Sequence, residues 1–274
     1  MTTVVEFTKG HGTGNDFVLI SDPDDRLVVR PDAVRAVCDR RFGIGGDGLI
    51  RVVRPAGSQR WFMDYHNADG SIGEMCGNGA RVFAALLRHR GWVTEDSFTI
   101  VTRGGDRAVR ISEEGISIDM GMPEVDESSV KVISNAHHWD AQAVFMPNPH
   151  AVVFVDDLEQ PGSLLEAPVV ESDVFPEGVN VEFVIVVDPG RRVQMRVHER
   201  GVGETLSCGT GVCAVADRAF ERAGVQGPAR IRVDVPGGTV HVDRTAESTL
   251  VLTGPAELVA EGRLSPKLSE AFHA

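Results

Sequence analysis

Short apolar runs, many of them β-branched or alternating with polar residues, recur along the whole chain and predict a protein built mostly from short strands. In the first half these runs cover residues 4–8, 17–20, 49–53, 98–102, 108–111 and 116–120. In the second half they cover residues 151–155, 181–187, 194–199, 230–235, 239–242 and 249–253. Runs of this length favour curved, mostly antiparallel sheets.

Two longer segments, residues 80–90 and 212–223, have the pattern of helices instead. Both are apolar in nearly all directions, as Val82, Phe83 and Leu86 illustrate in the first. A helix that is apolar all round belongs inside its domain. The sequence therefore predicts an α+β fold in which each half is a curved sheet around a central helix, with a shorter helix at residues 32–40.

An internal repeat relates the two halves at an offset of 132 positions. Met63, His66, Asn67 and Cys76-Gly77-Asn78-Gly79 lie over Met195, His198, Glu199 and Cys208-Gly209-Thr210-Gly211. At an offset of 133, Asn15 matches Asn148. Chance explains any one pair, but a shared register that includes a Met, a His and a Cys-Gly-x-Gly motif indicates duplication.

Duplication predicts two pseudo-symmetric domains. We expect the first to cover residues 1–120, with residues 255–274 returning to it, and the second to cover residues 121–254. The stretch 121–130 contains Pro123 and several acidic residues, so it is expected to be the crossing between the two.

The net charge of the chain limits the kinds of molecule that the protein is expected to bind. The 274 residues include 27 Lys and Arg against 40 Asp and Glu, a formal charge of −13. An acidic surface repels phosphate, which disfavours nucleic acid and anionic membranes as partners. No apolar run approaches the ~18 residues of a membrane helix, and the first residues lack the pattern of a signal peptide. We expect a cytoplasmic protein that acts on a small molecule.

The four cysteines are too sparse for a disulfide scaffold, so we expect reduced thiols. We interpret Cys38 and Cys213 as small core side chains. Cys76 and Cys208 differ, because each stands at the start of a predicted helix and the pair is duplicated. The helix dipole and the unpaired N–H groups at such a position favour a thiolate and bind anions.

Two thiols in equivalent places of two facing copies fit a two-base inversion of a carbon centre. One thiolate would remove the Cα proton of an amino acid, and the other thiol would protonate the opposite face. The helix-start N–H groups would hold the α-carboxylate. Such a reaction needs no pyridoxal phosphate, which is consistent with a chain that has only three lysines.

Other interpretations of the thiols stay open at this point. A zinc site could combine Cys208 and Cys213 with histidines, but no CxxC or HxxxH spacing is present. A Cys–His hydrolase built from Cys76 and His150 would leave the second thiol unexplained. A redox or binding protein could instead form a reversible disulfide between Cys76 and Cys208.

Seven motifs resemble the diaminopimelate epimerase family closely, nearly from end to end. They are KGHGTGNDF at 9–17, NADGS at 67–71, MCGNGAR at 75–81, NPH at 148–150, GVNVE at 178–182, ERGVGET at 199–205 and SCGTG at 207–211. The resemblance implies cofactor-independent conversion of LL-diaminopimelate to the meso form, in bacterial lysine and cell-wall precursor synthesis. It also implies a homodimer; the spacing of the cysteines and histidines already leads us to expect no metal.

The resemblance also implies roles for individual residues. Cys76 and Cys208 would be the acid–base pair, and His150 and Glu199 would tune the thiols. The expected substrate-binding residues are Asn15, Asn67, Gly77, Asn78, Asn148, Asn180, Glu199, Arg200, Gly209 and Thr210. Gly48 departs from the family, which often has Gln there. The nearest rival is another two-thiol racemase, such as a proline racemase, but Arg200 and the asparagines favour a substrate with a second amino-acid head.

Overall fold

A computed structural model of the protein describes residues 4–273. The strands are β1 (Glu6–Gly12), β2 (Asn15–Ser21), β3 (Gly48–Val53), β4 (Trp61–Asn67), β5 (Ser97–Thr102), β6 (Gly105–Ser112), β7 (Gly115–Gly121), β8 (Glu124–Ser134), β9 (His137–Phe145), β10 (Pro149–Phe154), β11 (Val169–Glu171), β12 (Asn180–Asp188), β13 (Arg192–Glu199), β14 (Gly203–Thr205), β15 (Ala229–Val235), β16 (Gly238–Arg244), β17 (Leu250–Gly254) and β18 (Glu257–Arg263). The helices are α1 (Pro31–Cys38), α2 (Gly77–His89), α3 (Gly209–Arg222) and α4 (Pro266–Glu270). The predicted α+β class, with far more strand than helix, is confirmed. No helix among the described residues is long and apolar enough to cross a membrane.

The backbone divides into two compact units. The first unit consists of two segments of the chain, one ending at Ile118 and one beginning at Pro255. The second unit is the continuous segment Asp119–Gly254. In the first unit, β2 pairs with β3 in parallel, β3 with β4 antiparallel, β4 with β5 in parallel and β5 with β6 antiparallel. The C-terminal strand β18 pairs with β1. The sheet contacts α2, of which nearly every residue from Gly77 to Leu87 is buried.

The second unit repeats this order of pairings. Strand β10 pairs with β12 in parallel, β12 with β13 antiparallel, β13 with β15 in parallel and β15 with β16 antiparallel. Helix α3 contacts β10, β12, β15 and β16 and is buried from Gly209 to Phe220. The repeat in the sequence is therefore a repeat of one sheet-and-helix unit.

Two predicted segments differ from the structure. Most of the stretch 121–130, expected to be a crossing, belongs to β8, which pairs with β9 across an irregularity between Asp126 and Val130. Helix α1 ends two residues before its predicted end, because Asp39 is extended and its carboxylate accepts the backbone N–H groups of Arg41 and Phe42 at 2.8 and 2.7 Å. These bonds stabilise a turn in place of another helical turn.

Candidate active site

Cys76 caps the first turn of α2. Its backbone is extended, at φ −139°, and its Sγ accepts the N–H of Gly79 at 3.4 Å. No acidic side chain lies in this turn, so the helix start presents N–H groups and the positive end of the dipole to the half-buried thiol. This is an environment that supports a thiolate and an anionic ligand.

Asn15 connects Cys76 to the neighbouring strand. Its Oδ1 lies 3.7 Å from the Cys76 Sγ and accepts the Asn78 amide at 3.2 Å. Its Nδ2 donates to Asp47 Oδ2 at 2.8 Å. Since a carboxylate only accepts, Asp47 fixes the amide with its oxygen towards the thiol. Asn15, Cys76 and Asn78, three predicted site residues, are thus brought together.

A charged network stands behind Asp47. The Asp16 carboxylate forms salt bridges with the Lys9 amine at 2.5 Å and with the Arg40 guanidinium at 2.7 Å. The Arg40 guanidinium also forms a salt bridge with the Asp47 carboxylate at 2.7 Å. Burial alone would raise the pKa of Asp16, but hydrogen bonds from Arg40 and Lys9 hold that pKa well below its usual range. Asp16 therefore stays ionised throughout the neutral range, and Arg40, which binds both carboxylates, keeps Asp47 in place.

We expect Asp47→Ala to lower kcat/KM by about tenfold, the effect of losing one orienting hydrogen bond. Without Asp47 the Asn15 amide is free to turn its NH2 group towards the thiol. Steady-state kinetics would measure the change, with the exposed Asp32→Asn as the control that keeps wild-type kinetics. Wild-type kinetics in Asp47→Ala would contradict this role.

The side-chain amide of Asn67 is held by hydrogen bonds to neighbouring residues of the chain. Its Oδ1 accepts the Tyr65 hydroxyl at 2.8 Å and its Nδ2 donates to Ser71 at 3.0 Å. Tyr65 also fills the space beside Gly48, where an added Cβ would lie 2.7 Å from both the Tyr65 ring and the His66 carbonyl. The site therefore has no room for the family's Gln at position 48, and a tyrosine that the sequence did not single out occupies that place.

Cys208 caps α3 as Cys76 caps α2. Its Sγ accepts the N–H of Gly211 and lies near the Thr210 hydroxyl, both at 3.4 Å. This thiol is buried, with 6% of its surface exposed. Burial raises the pKa of Cys208 well above its usual range, the carboxylates of Glu199 and Glu182 add to the effect, and the two hydrogen bonds only partly oppose it.

A buried His–Glu pair lies behind this helix start. His150 Nδ1 is 2.7 Å from Glu182 Oε1, and both side chains are fully buried. His150 Nε2 lies 3.2 Å from Asn148 Oδ1. The donor atoms of His150, Glu182 and Cys208 lie within 4.8 Å of one another, but the His–Glu hydrogen bond already uses two of them. The arrangement is that of a hydrogen-bonded pair beside a thiol rather than an open set of metal ligands.

The sequence did not single out Glu182. A signal was available, because this glutamate interrupts the apolar run of β12 at a position that faces α3. The Glu182 side chain fits beside α3 because residue 211 is a glycine: an added Cβ at Gly211 would lie 2.5 Å from Glu182 Oε1. At the equivalent Gly79 an added Cβ would instead meet the ends of apolar side chains, Met63 at 3.0 Å and Ile50 at 3.1 Å.

The two glycines should therefore respond differently to a methyl group. Gly211→Ala is expected to lower the free energy of unfolding by about 1–3 kcal/mol, because the buried Glu182 carboxylate must move. Gly79→Ala serves as the matched variant and should cost less than about 1 kcal/mol, since flexible apolar ends can shift and alanine favours the helix. Urea unfolding of both would measure this, and equal losses would contradict it.

The remaining predicted residues of this unit hold its loops. Asn180 Oδ1 accepts the backbone N–H of Arg200 at 2.9 Å, and its Nδ2 donates to the Pro149 carbonyl at 3.2 Å. Glu199 accepts the Thr205 hydroxyl. The Arg200 side chain is exposed, with one hydrogen bond to the Glu177 carbonyl at 3.1 Å. The Arg200 guanidinium is thus accessible to solvent.

The fold is shared with several solved structures. A Bacillus anthracis protein of the phenazine biosynthesis PhzF family matches with a TM-score of 0.72 at 17% identity, over 96% of this chain and 99% of that one. A probable proline racemase from Agrobacterium radiobacter matches with a TM-score of 0.70 at 13% identity, over 97% and 95%. The duplicated sheet-and-helix fold is therefore of the class found in a PhzF-family protein and a probable proline racemase.

Sequence relatives narrow the class to one family. The family model for diaminopimelate epimerase matches residues 7–125 and 142–259. The diaminopimelate epimerase of Streptomyces coelicolor is 48% identical, over 96% of each chain, and that of Corynebacterium glutamicum is 44% identical over 96% of this chain and 99% of its own. The chain belongs to the diaminopimelate epimerase family, an isomerase family, and the resemblance noted in the sequence is confirmed.

Proposed function

We propose that this protein interconverts LL- and meso-2,6-diaminopimelate by a two-base reaction of Cys76 and Cys208. The observation that carries the proposal is that both thiols occupy the same place, the N-cap of a buried central helix, in two copies of one unit. Membership in the diaminopimelate epimerase family supports the substrate. Relatives of that name cover nearly the full chain, which supports the activity of the whole protein.

In the reaction one thiolate takes the proton from the substrate Cα, and the electron pair of the C–H bond remains on the carbon. The other thiol then protonates the opposite face, so the product has inverted configuration and the two sulfurs have exchanged roles. The reverse reaction restores the starting state. The pair holds one proton between its members before and after the reaction, and two while the substrate is the carbanion.

The helix starts supply the electrostatic part of the reaction. The N–H groups around Gly77, Asn78, Gly209 and Thr210 bind the α-carboxylate and stabilise the charge that moves onto it as the proton leaves. Asn15 and Asn148 position the thiols and the substrate amine. The exposed Arg200 guanidinium binds the carboxylate of the second amino-acid head, which favours diaminopimelate over proline.

Epimerase activity is tested by incubating purified protein with LL-diaminopimelate and separating the stereoisomers. Formation of the meso form without added cofactor is the expected result, and proline should not be racemised. Racemisation of proline with no conversion of diaminopimelate would favour the rival two-thiol racemase.

Two further proposals concern the protein in solution. We propose a homodimer, which the resemblance in the sequence implies, and a cytoplasmic location, which the sequence pattern leads us to expect. Light scattering on the purified protein should give a mass twice that of the 29.5 kDa chain. A monomer at that measurement would reject the dimer.

A further inference from the structure

The duplication of the unit does not extend to the residues behind the two thiols. In the first unit, the Gly79 side of the helix start faces Phe17, Ile50 and Met63, all apolar and buried. In the second unit, the positions that correspond to Phe17 and Ile50 are His150 and Glu182. The two thiols therefore occupy equivalent backbone positions in chemically different surroundings.

Burial of a polar, ionisable pair is costly, and nothing in the fold alone requires it. The first unit shows that two apolar side chains fill the same space behind a helix of the same kind. Glu182 Oε2 moreover receives no hydrogen bond from the described residues, although the atom is buried. An isolated carboxylate oxygen at such a place is unfavourable for stability, which indicates a functional reason for the charge.

The ionisable groups around the Cys208 sulfur come from three strands. Glu182 lies on β12, His150 on β10 and Glu199 at the end of β13. On α3 itself, Asp217 and Arg218 pair with each other two turns further along. The carboxylates favour the neutral thiol, whereas the N–H of Gly211 favours the thiolate. Because Glu182 is hydrogen-bonded to His150, it also fixes which ring nitrogen faces the carboxylate and which faces Asn148.

We infer that Glu182 is a positioning residue for the reaction: it orients His150 and keeps the shared proton of the thiol pair on Cys208 in the resting enzyme. This inference rests on the proposed two-base function. Cys76, whose half-buried sulfur lies beside the uncharged Asn15 amide and accepts the Gly79 N–H, is then the base that meets the substrate first. Glu182 makes two duplicated thiols unequal before any substrate binds.

The direction of the expected effects follows from charge. Glu182→Gln keeps the size of the side chain and removes the negative charge, so Cys208 ionises more easily. The pH at which half of Cys208 reacts with iodoacetamide should fall by about one unit. For the same reason the alkaline limb of the pH profile of kcat/KM, where the shared proton is lost, should move to lower pH.

The experiment maps alkylation of Cys76 and Cys208 by mass spectrometry across pH in the protein without substrate, and records the pH profile of kcat/KM. In the wild-type protein, Cys76 should react at lower pH than Cys208. Glu182→Gln should narrow the difference in pH between the two thiols, whereas Glu182→Asp should stay closer to wild type because it keeps the charge. Glu171→Gln, at an exposed position, is the matched control and should shift neither midpoint.

A merely structural role would lower kcat without moving either pH midpoint. The inference would be overturned if Cys208 reacted at lower pH than Cys76 in the wild-type protein. It would also be overturned if the pH midpoint of Cys208 did not move in Glu182→Gln, or if it moved equally in Glu182→Asp. The wild-type measurement needs no variant, so the test does not depend on how well Glu182→Gln folds. Alkylation is independent of turnover, so absent epimerase activity would reject the proposed function separately.

Discussion

Cys76→Ala and Cys208→Ala should each abolish epimerisation, with kcat falling by at least about a thousandfold. General acid and base groups contribute about 10²–10⁴-fold each, and inversion needs both. A variant with one thiol can take a proton from one face, but it has no partner that delivers a proton to the other. The loss should therefore be as large in either single variant as in the double variant, because the two groups act as a unit.

Stereoisomer separation at saturating substrate would measure these losses. Cys38→Ala is the matched control, because burial raises the pKa of this thiol to about 12 and so keeps it protonated and inert. Its activity should equal that of the wild type. A single variant at Cys76 or Cys208 that retains near-normal turnover would contradict the two-base reaction.

Arg81→Met should have the largest effect on stability, lowering the free energy of unfolding by about 3–5 kcal/mol. Arg81 is fully buried in α2, where it donates to the Thr13 hydroxyl at 3.1 Å and to the Pro255 carbonyl at 3.2 Å. These bonds join the helix to the β1–β2 turn and to the returning C-terminal segment. Methionine fills part of the volume but cannot donate either of these hydrogen bonds.

Thermal and urea unfolding would measure the change. The control is Arg88→Met on the same helix, since Arg88 is near the surface and pairs with the exposed Asp96. Its loss should be below about 1 kcal/mol. Equal losses in the two variants would contradict a special role for Arg81.

Much of the fold could be predicted because burial imposes a pattern. The two central helices are apolar in nearly all directions, and the structure places α2 and α3 within three residues of their predicted starts. The hairpin of β8 and β9 was missed, because β8 is exposed along much of its length and Asp126, Glu127 and Ser128 carry no alternating apolar signal. Its position is set by pairing with a partner strand, which a local pattern does not contain.

The parts of the candidate site that could be predicted are those whose residues lie together in one short segment of the sequence. Each cysteine with its Cys-Gly-x-Gly motif marks a helix start in a single short segment, and Asn15 stands beside Cys76 as the resemblance implies. Asp47 and Glu182 were missed because their roles depend on contacts between residues about thirty positions apart in the chain. Asn67 and Asn180 came from the repeat and the resemblance, yet the structure uses their amides to hold turns and loops.

Solvent-deuterium incorporation tests the two-base reaction most directly. LL-diaminopimelate is incubated with the protein in D2O, and the meso product is analysed by mass spectrometry and NMR. At low conversion, before the reverse reaction contributes, we predict one deuterium per product molecule, located at the inverted Cα, with none at the other α-carbon of the same molecule. Product formed at the normal rate without deuterium at the inverted carbon would contradict proton delivery by a solvent-exchanged thiol.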